Sequence, residues 1–385
     1  MITLEKLMDL NTLNLAAWGC TRQSHWKEAT HRYLANMLLN NVLLQEEVLS
    51  GRYKVSPTTN FYINERGHIR YIEAPAIRDR IVQKIISLSV LIPRLRPSLI
   101  YDNYASLEKR GTSFARKRLE IMLRRYIHKN GIDGYILLID IKKYFESIDH
   151  EVLKQLISPR LNDLPENIVH LIFYIIDSCS HTSKGLNLGS EAPQILAVYY
   201  LNRLDTFLKV VKSVKYYGRY MDDCFIISPS KEYLKHLLDE IKKVLADLKL
   251  EINQKKTHII KLTHSFTFLQ IKYNILPSGK IIKRPSHGKI ARERRRLKAF
   301  NRLLHRRRMT NEEILGCYKS WRGTLIKDHN AYHKTLNSTD GLFNSMFERT
   351  EEERKKESRR TIGNSIYNSI DRKYIANTNC LMLNL

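Results

Sequence analysis

The stretch KYYGRYMDDCFIISPS, Lys215 to Ser230, sets Asp222 and Asp223 side by side between a tyrosine-rich run and an apolar run. Adjacent carboxylates repel, and carboxylates are rarely buried without a partner. A pair of acids next to Phe225, Ile226 and Ile227 is therefore either a solvated turn or part of a cation site. KYYGRY and CFIISPS each read as strands, so MDD falls at a tight hairpin turn.

Working outward, GYILLIDIKKYF runs from Gly134 through five apolar residues to Asp140, which predicts a buried strand ending on a carboxylate. SKEYLKHLLDEIKKVLADLKL is an amphipathic helix, with Leu234, Leu237, Leu238, Ile241, Val244, Leu245 and Leu248 on one face and Ser230 as its N-cap. SFTFLQIKYNILPSGKII reads as another hairpin, turning at Pro277, Ser278 and Gly279. Upstream, FYINERGHIRYIEAP reads as a hairpin carrying Arg66 and Arg70. Residues 1–50 read as helices, with Leu34, Leu38 and Leu39 at helical spacing. Strands alternating with helices, with antiparallel hairpins among them, predict an α+β domain.

The 385 residues carry 65 Lys plus Arg against 39 Asp plus Glu, a formal charge of +26. Such a field concentrates polyanions, and nucleic acid is the leading partner. No basic amphipathic segment stands alone to favour a membrane. The excess is densest from Lys283 to Arg308, with twelve Lys or Arg and one acid, Glu293. Ile290, Leu297, Phe300 and Leu304 form an apolar stripe there, so the back of this helix packs and its arginines face outward. A solvated face is the plainer reading; the whole-chain charge favours phosphate binding.

Cys20, Cys179, Cys224, Cys317 and Cys380 are scattered without a CxxC pair, so neither a zinc site nor a disulfide framework is readable. The longest apolar run, Ile168 to Ile176, is far short of the roughly 20 residues of a membrane span. MITLEKLMDL lacks the pattern of a signal peptide. The expectation is a soluble, cytoplasmic protein.

Asp140 and the Asp222–Asp223 pair, on neighbouring strands of one sheet, would converge on one point. Three carboxylates cannot do so without cations, and two Mg²⁺ ions would neutralise them and clamp a phosphoryl transfer. Here the residues resemble a known family. LLIDIKKYFESIDH resembles the first palm motif of reverse transcriptases, and YMDD their catalytic hairpin. KGLNLGSEAPQILAVYYLNRLD resembles the motif between them, LEINQKKTHI and FTFLQIKY the two that follow, and GHIRYIEAPAIRDRIVQ the fingers motifs before. The six motifs occur in order between about Leu44 and Trp321.

The resemblance implies a right-hand polymerase fold: an N-terminal helical extension (1–44), fingers (45–135), a palm with an antiparallel sheet (136–282, including helices over 151–184), a basic helical thumb (283–350) and a C-terminal tail (351–385). It implies that Asp140 and Asp222 hold two Mg²⁺ ions, replaceable by Mn²⁺, with Asp223 completing the acidic cluster and Ile141 beside it as a further ligand position. Arg70 would grip the nucleotide triphosphate, with Arg66 a second candidate. Phe145 would crowd the sugar 2′ position and select deoxynucleotides, with Tyr144 next in line. Leu188 and Gly189 would line the nucleotide site. Lys256, or Lys255 beside it, would protonate the leaving pyrophosphate. Arg292, Arg294, Arg295 and Arg296 would meet nucleic acid; Trp321 would either do so or pack in a core.

Two departures stand out. The family's Gln-Gly-x-x-x-Ser-Pro is here LGSEAPQ, with Leu188 for the glutamine and Gln194 for the proline. That pattern resembles diversity-generating retroelement enzymes and bacterial defence-associated reverse transcriptases, although Pro193 stands where those have serine. In FLQIKY, Gln270 stands where a glycine is common in the family's primer grip. The implied partners are an RNA template (a structured bacterial non-coding RNA), dNTPs and a DNA product. The implied role is antiphage defence. The alternatives are diversity-generating mutagenesis, a non-catalytic maturase-like RNA-binding role, or an RNA-templated RNA polymerase, which Phe145 weighs against. No RNase H or endonuclease motif is readable after the thumb, and the tail EEERKKESRR reads as a solvated helix.

Overall fold

Among the described residues, four helices precede the first strand: Leu4–Leu7, Leu10–Thr21, Glu28–Ala35 and Met37–Leu49. The computed structural model describes residues 2–22, 24, 27–65, 68–187, 189–328 and 333–347. Asp9 caps the second helix by accepting from the backbone N–H groups of Asn11 and Thr12. The fourth helix buries Asn41, Leu44 and Val48, not the leucines whose spacing marked it: Leu38 and Leu39 are about three-fifths exposed. The regular spacing ends at Asn36, which separates two helices and resets which side faces inward.

Strands β1 (Thr59–Glu65) and β2 (His68–Ala74) pair antiparallel, from Thr59 opposite Ala74 to Glu65 opposite His68. Helix Ile77–Ile86 follows, then a π-helical turn at Ser87–Leu91 and, further on, helix Thr112–Asn130.

The central sheet is built from β3 (Tyr135–Ile139), β4 (Tyr217–Tyr220), β5 (Asp223–Ser228) and β6 (His258–Lys261), in the order β4-β5-β3-β6. All three pairings are antiparallel. An antiparallel sheet with one wet face would alternate, yet β3 is apolar throughout because both of its faces are covered. Leu137, Ile139, Cys224 and Ile226 join the main buried cluster, together with Leu234, Leu237, Ile241 and Leu245 of helix Lys231–Asp247. On the other face Phe225 meets Phe268 edge-on, with ring centres 5.2 Å apart. Burying one leucine-sized side chain contributes about 1.5–3 kcal/mol, so this two-faced packing is what fixes the sheet. Ser230 caps helix Lys231–Asp247, its Oγ accepting from the Tyr233 N–H at 3.0 Å. The apolar run Ile168 to Ile176 lies in helix Glu166–Asp177, which buries Ile168, Leu171, Ile172, Ile175 and Ile176. No helix among the described residues is long and apolar enough to cross a membrane.

A third sheet, in the order β7 (Phe266–Phe268), β8 (Ile271–Ile275), β9 (Ile281–Pro285), carries the chain from one compact unit into a second. The first unit comprises Met1–Leu269 and Asn274–Ile281; the second, Gln270–Tyr273 and the chain from Ile282. The region expected as fingers (45–135) lies in the first unit, as does the region expected as palm (136–282) apart from Gln270–Tyr273 and Ile282. The break between β7 and β8 is a turn in which Leu269 (φ +45°) and Gln270 (φ +68°) are left-handed. That is the conformation glycine adopts at least cost, and here Gln270 holds it with a side chain.

The second unit contains helices His287–His305, Asn311–Asp328 and His333–Met346. Leu297, Ile314, Tyr318, Trp321, Leu325, Leu336 and Phe343 make its core. Trp321 stacks on Tyr318 at 5.7 Å and is buried, so it belongs to this core; a nucleic-acid platform would need the ring in solvent. The segment EEERKKESRR lies outside the described residues.

Candidate active site

The register of the central sheet brings the acids together. Ile139, the last residue of β3, stands opposite Cys224 of β5, so one step further along the ladder sets Asp140 against Asp223. The β4–β5 turn contains only Met221 and Asp222, because Tyr220 already pairs with Asp223; Asp223 is thus a strand residue and not a turn residue. Met221 has φ +52°, a conformation costing a residue with a side chain roughly 1–2 kcal/mol. The hairpin holds this strain at the point where Asp222 turns toward the end of β3.

Asp140 is held from several directions. Its Oδ2 accepts from the Asn253 side-chain amide at 2.8 Å, and its backbone carbonyl accepts from the Asn253 N–H, also at 2.8 Å. Lys256 Nζ lies 3.1 Å from Oδ1, so it is Lys256, of the two adjacent lysines, whose ammonium reaches the acids. Burial raises the carboxyl pKa of Asp222, and the charge of Asp140 raises it further. Asp223 is pushed up to about 7 by burial, then by the charges of Asp222 and Asp140. Mutual repulsion of this kind is what a cation relieves.

Among the described residues no three His, Cys, Asp or Glu side chains are grouped to hold an ion by themselves. The acids fit a hard divalent cation of the kind bound by one or two carboxylates and completed by other oxygens, including substrate phosphates. Ile141 can add one. It bridges Ile252, but the two bonds of that bridge are made by its neighbours, Lys142 N–H to Glu251 and Asn253 N–H to Asp140, which leaves the Ile141 carbonyl out of the pairing.

Phe145 is half-buried on the short helix Tyr144–Ser147, edge-on to Tyr144 at 5.5 Å. Tyr144 is buried and its hydroxyl donates to the Ala197 carbonyl, so Tyr144 is a core residue, and Phe145, packed against the same core, is the more exposed ring of the two. Gly189 lies against the end of the β1–β2 hairpin: a Cβ there would stand 2.4 Å from Pro75 Cδ. Beside it, Asn187 Oδ1 and Ser190 Oγ are buried without a hydrogen-bond partner. Ser190 occupies the N-cap of helix Glu191–Tyr200, but Pro193, at the third helical position, has no N–H to offer it. Arg70 stands opposite Ile63 in the hairpin, and its side chain is outside the described set, as are Arg66 and Leu188 altogether.

On helix His287–His305, Arg292, Arg294 and Arg295 are exposed. Arg296 is committed within its own unit: it pairs with buried Glu293 at 2.8 Å, donates to the Cys317 carbonyl at 3.3 Å and covers the Phe300 ring. It is a packing residue more than a free phosphate contact.

The sequence reading missed Asn253, Asp205 and Arg219. Arg219 lies wholly buried inside β4, bonded to both carboxylate oxygens of Asp205. Burial opposes its charge, and Asp205 overrides that, holding the guanidinium above its ordinary range. The signal was present: a lone arginine within an apolar hairpin strand demands a buried acid.

The α+β architecture with its acidic sheet end is that of a right-hand polymerase. Residues 58–273 match the family described as "Reverse transcriptase (RNA-dependent DNA polymerase)", more than half of the chain, and the chain belongs to that family. Reverse transcriptase domains generally use divalent metal ions. Protein YkfC of Escherichia coli (strain K12) is 24% identical over 277 residues, covering 61% of this chain and 71% of that protein. Among solved structures, telomerase from Candida tropicalis aligns with a TM-score of 0.49 at 14% identity over 77% of this chain. Telomerase from Candida albicans, in complex with a fragment of telomeric RNA, aligns at 0.46 and 13% over 76%. The chain spans 59% of the length of each of these telomerase chains.

Proposed function

We propose that this chain is an RNA-directed DNA polymerase that extends a primer on an RNA template by two-metal nucleotidyl transfer, with Mg²⁺ as its ion. The observation that carries this reading is the sheet register that sets Asp140 beside the Asp222–Asp223 pair; burial first, and then the neighbouring acid charges, raise the carboxyl pKa values of the latter two. A scaffold that only bound RNA would gain nothing from burying mutually repelling acids.

In this reading Asp140 and Asp222 hold the ions, Asp223 adds charge, and Asn253 keeps Asp140 oriented. Bound divalent cations supply the acidity that ionises the primer 3′-hydroxyl and the charge that neutralises the departing pyrophosphate. The 3′-oxygen bonds to the α-phosphorus as the α–β bridging bond breaks, and Lys256 gives the leaving oxygen a proton; its ammonium lying 3.1 Å from Asp140 supports this. Arg70 grips the triphosphate, with Arg66 on the same hairpin. Phe145 excludes a 2′-hydroxyl. Arg292, Arg294 and Arg295 track the nucleic-acid backbone.

The template is read as a structured bacterial non-coding RNA, and the role as antiphage defence in the cytoplasm. Leu188 in the middle motif supports this, and the same residue supports diversity-generating mutagenesis as the second reading. Purified chain, given an RNA template, a primer, dNTPs and Mg²⁺, should synthesise DNA, and Asp222→Ala should not. Synthesis undiminished in that variant would remove the assignment.

A further inference from the structure

Arg219 reaches from the buried core to the turn that carries Asp222. Its Nε and Nη2 grip the two carboxylate oxygens of Asp205 at 2.8 and 2.5 Å. Nη2 also donates to the Val198 carbonyl at 3.0 Å, and Nη1 to the Met221 carbonyl at 2.9 Å. The Tyr217 hydroxyl donates to Asp205 Oδ1 as well, at 2.6 Å. The Arg219 backbone is tied as well: its N–H donates to the Asp102 carbonyl and its carbonyl accepts from the Tyr104 N–H. Neither Arg219 nor Asp205 has any exposed side-chain surface.

The Met221 carbonyl belongs to the same planar peptide as the Asp222 nitrogen. A bond to that oxygen therefore fixes the plane immediately before Asp222, at a turn whose left-handed Met221 would otherwise relax. Stability alone gives little reason for the charges, because well-packed apolar residues can replace a buried ion pair at no loss. A forked donor that satisfies one carboxylate and two carbonyls together does something an apolar pair cannot.

We propose that Arg219, fixed by Asp205, is a positioning residue that pins the Met221–Asp222 peptide and so aims the Asp222 carboxylate toward Asp140. The inference rests on reading Asp140 and Asp222 as the cation-binding acids.

The test is the double variant Asp205→Leu with Arg219→Met, which removes both charges together and leaves no orphaned ion. Circular dichroism and RNA affinity should match the wild type, and KM for dNTP should change little. The kcat should fall about 10–100-fold, the scale of a misaimed catalytic group. Mn²⁺ affinity, measured by paramagnetic relaxation without RNA or nucleotide, should fall by about tenfold, as on loss of an outer-sphere support. A folded double variant with wild-type kcat and Mn²⁺ affinity would overturn the proposal. Should the double variant fail to fold, Arg219→Lys, which keeps the charge and loses the fork, decides on the same two readouts. A wild type that synthesises no DNA would sink the polymerase reading alone, since the Mn²⁺ comparison still judges the clamp.

Discussion

Asn253 holds Asp140 twice, its side-chain amide on the carboxylate and its backbone N–H on the carbonyl, each at 2.8 Å. The first bond goes to a charged acceptor and is worth about 1.5–3 kcal/mol. Asn253→Ala should therefore lower kcat by roughly 10–100-fold while leaving RNA affinity unchanged. Single-turnover extension on a defined template measures this. An unaffected rate would mean that β3 and Lys256 suffice to orient Asp140.

Replacing Asp140 or Asp222 with Ala should abolish Mg²⁺-dependent incorporation and leave RNA binding intact. Asp222→Ala relieves the crowding of like charges, so its melting temperature should hold or rise; Asp140→Ala also gives up the bonds from Asn253 and Lys256, so its melting temperature should fall. Filter binding and thermal melts on the same preparations separate the two effects.

Phe145→Ala should raise rNTP use relative to dNTP use. Tyr144→Phe should leave that ratio alone, because its hydroxyl is spent on the Ala197 carbonyl inside the core. Competition assays with paired nucleotides read the ratio directly; an unchanged value for Phe145→Ala would place the gate elsewhere.

A triple Ala variant at Arg292, Arg294 and Arg295 should flatten the log–log salt dependence of RNA binding by about two to three units. Arg296→Ala should leave the slope nearly unchanged and instead lower stability by about 1–3 kcal/mol, since it strands buried Glu293. An equal change of slope from Arg296→Ala alone would contradict this division of roles.

Leu188 offers no hydrogen bond where similar enzymes have glutamine. Regaining one such bond is worth about 0.5–1.5 kcal/mol, a factor of roughly two to ten in discrimination. Leu188→Gln should accordingly lower the error rate per base, and sequencing the products of equally folded proteins tests it.

Much of this molecule was legible in the order of its residues. The acids at 140, 222 and 223 announced themselves because charge placed against an apolar strand is a local conflict, visible without any neighbour. The helix starting after Ser230 could be read for the same reason: its cap and its apolar stripe lie within one turn or a few turns of each other. What the tertiary structure alone decided was partnership and side. Asp205 and Arg219 sit in different elements, and only the packing of helix Asn202–Thr206 against β4 makes them one ion pair. Leu38 and Leu39 repeat as a core face should, yet lie outward, while Arg296, in a basic run, pairs with buried Glu293 and covers the Phe300 ring. Periodicity states that a helix has an apolar side; which side is buried depends on surfaces contributed from far along the chain. Asn253 and Asp140 are the sharpest case, because a bond across more than a hundred residues exists only once β3 and the segment after helix Lys231–Asp247 have been brought side by side.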